Sequence, residues 1–282
     1  SVDAVAITPD GTRAVTGSWD GKVRVWDLTS GEQVHVLTGH TNGVTAVAIT
    51  SDGAQAITGA WDRTVRVWNL VSGEQMHVLT GHSNGLWAVV VTPDGTRAVT
   101  ISYDPMARVW DLTTGQQLHV LAGHSVNGVK SVAVTADGTR AVTGGWDRTA
   151  RVWDLTTGQQ LHVLAGHSNG LEAVVVTPDG TRAVTGGVDE TVRVWDLNTG
   201  QQLHVLAGHI GSVELLAMVP DGARVISAGL DKTVRIWDIT TGVQEQAITT
   251  GHIVHGLSVS EKELTVGMTI GDRSGSITHF IM

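Results

Sequence analysis

Short apolar runs, each closed by a glycine or aspartate turn, follow one another along the whole of this chain. Between 44 and 82 the order is VTAVAI (44–49), the turn Ser51-Asp52-Gly53, AQAIT (54–58), the turn Gly59 to Asp62, TVRVWNL (64–70), the turn Ser72-Gly73, and QMHVL (75–79). Valine, threonine and isoleucine in runs of about five residues between such turns predict four antiparallel strands joined as a meander. Apolar and polar positions alternate only weakly, which predicts strands covered on both faces. The first two strands are rich in alanine, as crowded inner strands would be, and Trp68 and Leu79 fall on outer strands, where larger groups fill the space.

The same unit recurs. Trp26, Trp68, Trp110, Trp153, Trp195 and Trp237 are spaced 42, 42, 43, 42 and 42 residues apart. Each is followed by aspartate, or by Asn69 in one case, and a Gly-His pair keeps the same beat at His40, His82, His124, His167, His209 and His252. A period in this range predicts an all-β propeller of four-stranded blades. The blades fall at 1–38, 39–80, 81–122, 123–165, 166–207, 208–250 and 251–282, making one domain.

Composition narrows the function. The net charge of −9 argues against a phosphate-backbone partner, and Arg24, Arg66, Arg108, Arg151, Arg193 and Arg235 occupy one repeated position instead of lining a groove. There is no cysteine, hence no disulfide or thiolate metal site. No run of 18 apolar residues exists, so no membrane insertion is expected. No cofactor and no metal are expected, and the expected compartment is cytoplasmic.

The motif GHTNGVTAVAITSDGAQAITGAWDRTVRVWN, present in six near-copies, resembles the WD-repeat β-propeller family over essentially the whole chain. The resemblance implies a hydrogen-bonded tetrad in each blade: the Gly-His histidine, a second-strand Ser or Thr, the aspartate after it and the third-strand tryptophan. These are His40, Thr58, Asp62 and Trp68; His82, Thr100, Asp104 and Trp110; His124, Thr143, Asp147 and Trp153; His167, Thr185, Asp189 and Trp195; and His209, Ser227, Asp231 and Trp237. The chemistry suits the roles, because indole only donates, hydroxyl relays, imidazole does both and carboxylate accepts. The first blade lacks its Gly-His but keeps Thr16, Asp20 and Trp26. In the last blade Met268 stands at the Ser/Thr position, Phe280 replaces tryptophan and only Asp272 is recognisable. Seven blades with 27 strands are expected where a complete ring has 28, the missing outer strand being one that family members often draw from chain preceding the first blade.

An Asp-His-Thr set resembles a hydrolase triad in its residue types, but repetition in five blades and a hydroxyl tied to an indole mark it as structural. The fourth-strand histidines His35, His77, His119, His162 and His204 lie a whole blade apart, too far to share a metal ion. Asp10, Asp52, Asp94, Asp137, Asp179 and Asp221 precede glycine, and turn chemistry explains them.

Residues that break the repeat are more informative. Segments 139–168 and 181–210 agree at 25 of 30 positions, and three of the five differences flank the tetrad aspartate or follow Gly-His. The resemblance places those loops on one "top" face. The residue before the tetrad aspartate is Trp19, Trp61, Tyr103, Trp146, Val188 and Leu230 in turn. The second residue of the first strand is Asp3, Thr45, Trp87, Lys130, Glu172 and Glu214. With Arg63 and Arg148 these define an aromatic, basic sector, and Glu172, Glu190 and Glu214 an acidic one. Trp87 has no aromatic counterpart, so repeat packing is not expected to require it. Exposed aromatics beside arginine suit a protein or peptide partner carrying acidic and apolar groups, although tryptophans packed over the next blade would give the same pattern.

The expected function is a non-catalytic interaction scaffold or sensor, a monomeric ring within a larger signalling protein. Highly self-similar bacterial WD arrays attached to kinases, STAND-type ATPases or caspase-like peptidases look similar. A lectin-like or small-ligand binder is the alternative. An enzyme ranks last, because no unrepeated acid/base pair stands out.

Overall fold

The runs rich in β-branched residues form strands, and glycine and aspartate reverse the chain between them. A computed structural model describes residues 1–125, 128–259, 265–270 and 276–281. Among these residues every regular element is a strand, and each sheet is antiparallel and built from strands consecutive in sequence. The first sheet holds β1 to β4 (Val2–Ile7, Arg13–Ser18, Val23–Asp27, Gln33–Leu37) and the second β5 to β8 (Val44–Ile49, Gln55–Ala60, Thr64–Asn69, Gln75–Thr80). The third holds β9 to β12 (Leu86–Val91, Arg97–Ser102, Met106–Asp111, Gln117–Ala122). The fourth holds β13 to β16 (Val129–Val134, Arg140–Gly145, Thr149–Asp154, Gln160–Ala165). The fifth holds β17 to β20 (Leu171–Val176, Arg182–Gly187, Thr191–Asp196, Gln202–Ala207) and the sixth β21 to β24 (Val213–Met218, Arg224–Gly229, Thr233–Asp238, Val243–Thr249). The seventh has three strands, β25 to β27 (Val254–Val259, Thr265–Ile270, Ser276–Ile281). Six complete four-stranded antiparallel sheets and a partial one are consistent with a β-propeller.

The chain packs as two compact units, Ser1–Ala141 with Trp153–Gln160, and Val142–Val152 with Leu161–Met282. In the first unit no sheet owns a private core. Val15, Val23, Val25 and Leu37 of the first sheet pack with Val44, Ala56, Trp68 and Leu70 of the second. Ile57, Val65, Val67 and Leu79 of the second pack with Leu86, Ala98, Trp110 and Leu112 of the third. The second unit repeats the arrangement, Val184, Val192, Val194 and Leu206 meeting Val213, Val225, Trp237 and Ile239. Strands sandwiched in this way lose one wet face, so the weak alternation in the sequence has a packing cause.

Polar staples join neighbouring repeats within each unit. The Nε2 of His77 donates to the Thr113 carbonyl at 3.1 Å and that of His119 to Thr156 at 3.0 Å; in the second unit His204 donates to Thr240 at 3.2 Å. Gly115 explains the glycine of the receiving turn: its φ is +71°, and a Cβ there would lie 2.7 Å from the His77 ring. Arginines make a second staple, from Arg13 Nη1 to the Leu70 carbonyl (2.6 Å), Arg97 to Leu155 (2.9 Å) and Arg182 to Ile239 (3.1 Å). The second sheet has Gln55 at this position, and its buried Oε1 has no partner. We expect Gln55→Arg to supply the missing staple and raise stability by about 1 kcal/mol, the net worth of one such hydrogen bond. Urea unfolding checks it; an unchanged midpoint would mean the shorter side chain costs nothing.

In the last sheet the backbone pairs Val266 with Phe280 and Met268 with Thr278, as Ala56 pairs with Trp68 and Thr58 with Arg66. Phe280 and Met268 therefore occupy the strand positions of the tryptophan and the hydroxyl residue. Asp272 lies outside the described residues.

Candidate functional site

The hydroxyl residue of each second strand faces the tryptophan of the third, which fixes the direction of the whole relay. In the second sheet Trp68 Nε1 donates to Thr58 Oγ1 at 2.8 Å. Thr58 donates in turn to His40 Nε2 (2.8 Å), and His40 Nδ1 donates to Asp62 Oδ2 (2.9 Å). Because indole only donates, the Thr58 hydroxyl is left to donate onward to the histidine, whose Nδ1–H then faces Asp62. The same chain runs Trp110–Thr100–His82–Asp104, Trp195–Thr185–His167–Asp189 and Trp237–Ser227–His209–Asp231. In the fourth repeat His124, Thr143 and Trp153 are buried, and Asp147 accepts from Thr149. In the first repeat Trp26 still bonds Thr16, but Asp20 has no histidine and pairs with Arg24 at 2.7 Å, which holds its carboxyl down at about 2. A hydroxyl buried between indole and imidazole has no access to a substrate, so these sets brace the sheets.

The relay has a fifth member that the sequence reading missed. Thr64, Thr191 and Thr233 donate Oγ1 to the tetrad aspartate at 2.7, 2.8 and 2.8 Å. The Asp-x-Thr spacing was the available signal. The Trp-Asp aspartates act locally: Asp27 Oδ1 accepts from the amides of Thr29 and Ser30, and Asn69 Oδ1 does the same for Val71 and Ser72. One acceptor oxygen is enough, so asparagine serves.

The uncopied second residues of the first strands, and the residues that follow the tetrad aspartates, sit where the backbone departs from regular geometry. Ladder pairing skips a residue between Val44 and Ala46, between Leu171 and Ala173 and between Val213 and Leu215, and Trp87 is passed over likewise. Thr45, Trp87, Glu172 and Glu214 are therefore bulge residues, which the strand can re-aim. At the residue after the tetrad aspartate, Arg63, Arg148, Glu190 and Lys232 adopt φ of 67°, 68°, 66° and 61°, where the first repeat has Gly21 at 75°. Left-handed backbone costs a non-glycine residue about 1–2 kcal/mol. Pro105, at the same position in the third repeat, cannot follow; there the Ser102 hydroxyl accepts from the Asp104 amide instead. Lys232 is exposed at this turn, in the same repeat as Glu214.

In the first unit the aromatics form a continuous row. Trp19 and Trp61 stack with centroids 6.4 Å apart, Trp61 and Tyr103 at 5.1 Å, and Trp87 meets Tyr103 edge-on at 4.9 Å. Lys130 Nζ lies 3.4 Å from the centre of the Trp87 ring. Trp87 also packs against the buried cluster of Val99, Val109 and Leu121. The expectation that packing does not require Trp87 is thus corrected: the ring is half-buried and carries the Lys130 ammonium, a cation–π pair. Trp19 (53% exposed) and Tyr103 (40%) remain open, as does Trp146 (45%) in the second unit.

The Trp19, Trp61 and Trp146 rings each rest on a glycine of the following repeat. A Cβ on Gly43 would meet the Trp19 ring at 2.9 Å, one on Gly85 the Trp61 ring at 2.3 Å, and one on Gly170 the Trp146 backbone and ring at 3.3–3.5 Å. Where Val188 replaces the aromatic, Ser212 replaces the glycine. The Asn-Gly of HTNG and HSNG was the signal in the sequence. Packing over the neighbour and partial exposure therefore coexist in the same rings.

With this geometry in hand, the comparison with known proteins is direct. The WD40 family (WD domain, G-beta repeat) matches residues 1–27, 31–69, 73–111, 115–154, 158–196 and 200–238. The chain belongs to the WD40 family. Stretches about one repeat long in curated proteins also match. Cilia- and flagella-associated protein 52 of Sus scrofa is 44% identical over 45 residues, 16% of this chain and 7% of that protein. Angio-associated migratory cell protein of Homo sapiens is 54% identical over 33 residues, 12% and 8%. The probable serine/threonine-protein kinase PkwA of Thermomonospora curvata is 46% identical over 41 residues, 14% and 6%. These matches span less than a tenth of each relative. WD40 repeats generally mediate protein–protein interaction and are typically not catalytic themselves. Among the described residues no helix is long and apolar enough to cross a membrane.

Proposed function

We propose that this WD40 chain is a non-catalytic interaction module: seven blades closed into one monomeric ring, part of a larger cytoplasmic signalling protein. Its partner is a protein or peptide segment with apolar and acidic groups, bound along Trp19, Trp61, Tyr103 and Arg63, with Trp146 and Arg148 offering the same chemistry in the second unit. The row of half-exposed rings carries this reading, because large rigid aromatic area beside arginine is what interface anchors are made of. The strained turns support it. Arginine at φ near 67° persists at Arg63 where glycine would be relaxed, and strain at a surface turn points to use of the side chain. The match to a protein named as a probable kinase supports the larger signalling context. A sugar-binding role needs free ring faces, whereas Trp61 has Gly85 against one face and stacks on Tyr103.

The test is a displayed peptide library selected on the full chain, with binders re-measured on Trp61→Ala and Arg63→Gly. We expect Trp61→Ala to cost about 2 kcal/mol of affinity or more. Arg63→Gly should weaken acidic peptides while raising stability by about 1 kcal/mol through relief of the left-handed backbone. Peptides that bind both variants fully, yet are lost when the 113–116 turn is changed, would place the interface elsewhere.

A further inference from the structure

Asn42, Asn84 and Asn169, in the loops that lead into β5, β9 and β17, are exposed, and each is followed by a buried glycine. In each pair the glycine amide donates to the Oδ1 of its own asparagine, at 2.8 Å for Gly43 and Gly85 and 2.9 Å for Gly170. The asparagine Cγ, one carbonyl bond of about 1.2 Å from that oxygen, then lies within about 4 Å of the glycine nitrogen. The glycine carbonyl is fixed separately, accepting from the amide of Trp61, Tyr103 or Val188. Among the described residues neither the glycine nitrogen nor the asparagine Nδ2 has a further partner. The pair follows the rings along the chain. Asn-Gly comes after Trp19, Trp61, Tyr103 and Trp146, whereas Gly211-Ser212 stands there after Val188. A ring that demands a bare Cα thus leaves an unhindered backbone nitrogen beside a side-chain amide.

We propose that Asn42, Asn84 and Asn169 are sites of spontaneous succinimide formation, through which the aromatic face gains negative charge as the chain ages. Hydroxide takes the glycine amide proton, and the freed nitrogen, already held beside its target, attacks Cγ. The N–Cγ bond forms, the Cγ–Nδ2 bond breaks, and Nδ2 takes a proton from water and leaves as ammonia, which restores the hydroxide. Water then opens the ring at either carbonyl, giving aspartate or isoaspartate. Asn69 and Asn198 precede Leu70 and Thr199, whose side chains hinder the same approach. The Oδ1 of Asn69 is also tied to the Val71 and Ser72 amides. Each conversion adds one negative charge to a chain already at −9. That charge stands one residue from the glycine under Trp19, Trp61 or Trp146 and repels an acidic partner. This effect on binding rests on the reading of the aromatic row; the modification itself does not.

Peptide mapping by mass spectrometry tests it on the full native chain, held at neutral and at mildly alkaline pH with folding followed by circular dichroism. The expected result is succinimide, then aspartate and isoaspartate, accumulating at the three sites at a rate that rises with hydroxide, while Asn69 and Asn198 stay amides. N42Q/N84Q/N169Q, whose ring closure is one atom larger, should lose the conversion. Aged wild type and fresh N42D/N84D/N169D should bind acidic peptides several-fold more weakly than fresh wild type, and the aged glutamine variant should not. Conversion no faster than at Asn69 and Asn198 overturns the proposal, as does conversion confined to denatured chain. Complete conversion with unchanged affinity for acidic peptides overturns the charge effect. Should no peptide bind the fresh chain, the reading of the aromatic row fails, and the mass readings still decide the modification.

Discussion

Thr100→Val should unfold at markedly lower denaturant than the wild type, with a loss of about 2–5 kcal/mol. The substitution keeps shape and removes one oxygen. That oxygen accepts from Trp110 Nε1 and donates to His82 Nε2, both at 2.8 Å, and Thr100 is fully buried. Two polar atoms then lose their partner where water cannot replace it, at about 1–3 kcal/mol each. The damage should stay mechanical: a folded fraction of the variant should bind selected peptides as the wild type does. Guanidinium unfolding with peptide titration reads both. Wild-type stability would show that the relay is not holding the sheet, and lost binding at full stability would make Thr100 functional.

Acid should weaken the protein in two steps. The relay needs neutral histidine, and burial lowers the pKa of His167 and His209 from 6.5, against the opposing pull of Asp189 and Asp231. The unfolded chain therefore takes up these protons more readily than the native one. The stability they contribute is whole above about pH 6.5 and falls as pH drops below it. For Asp104, burial pushes the carboxyl up, but hydrogen bonds from His82 and the Ser83 amide outweigh it and hold it at about 2. Its contribution is present above the ordinary value of 3.8 and is lost between there and about 2. Melting temperature should be flat at neutral pH, decline first below about 6.5 and fall steeply below about 4. A flat profile down to pH 4 would mean the buried histidines accept protons without disturbing the relay.

Strand positions, turns and repeat length were legible because each is a local property. Valine-rich runs, Asp-Gly pairs and the tryptophan period need no knowledge of neighbours. The site was legible only as a set of exceptions. That Trp87 and Thr45 are uncopied is visible in the chain; that both sit on bulges is not, because a bulge is a relation between two strands. The Lys130 ammonium over Trp87 joins the second residues of two first strands 43 positions apart. The Asp-x-Thr spacing is visible in the chain, but a threonine two residues on is equally common in turns, so the spacing alone does not tie it to the relay.

The contact between aromatic and glycine is divided between repeats, the ring in one and the bare Cα in the next. A copied repeat thus carries half of two different seams. Duplicating a repeat with aromatic seams on both sides yields an array that still fits. Reordering is another matter: the repeat that begins at Ser212, set after the one bearing Trp61, would push a hydroxymethyl group into the space that Gly85 leaves for the ring, where a Cβ would lie 2.3 Å from it. The repeats are therefore not interchangeable beads. They follow a grammar written at their joints, which permits some orders and forbids others however alike the strands between them are.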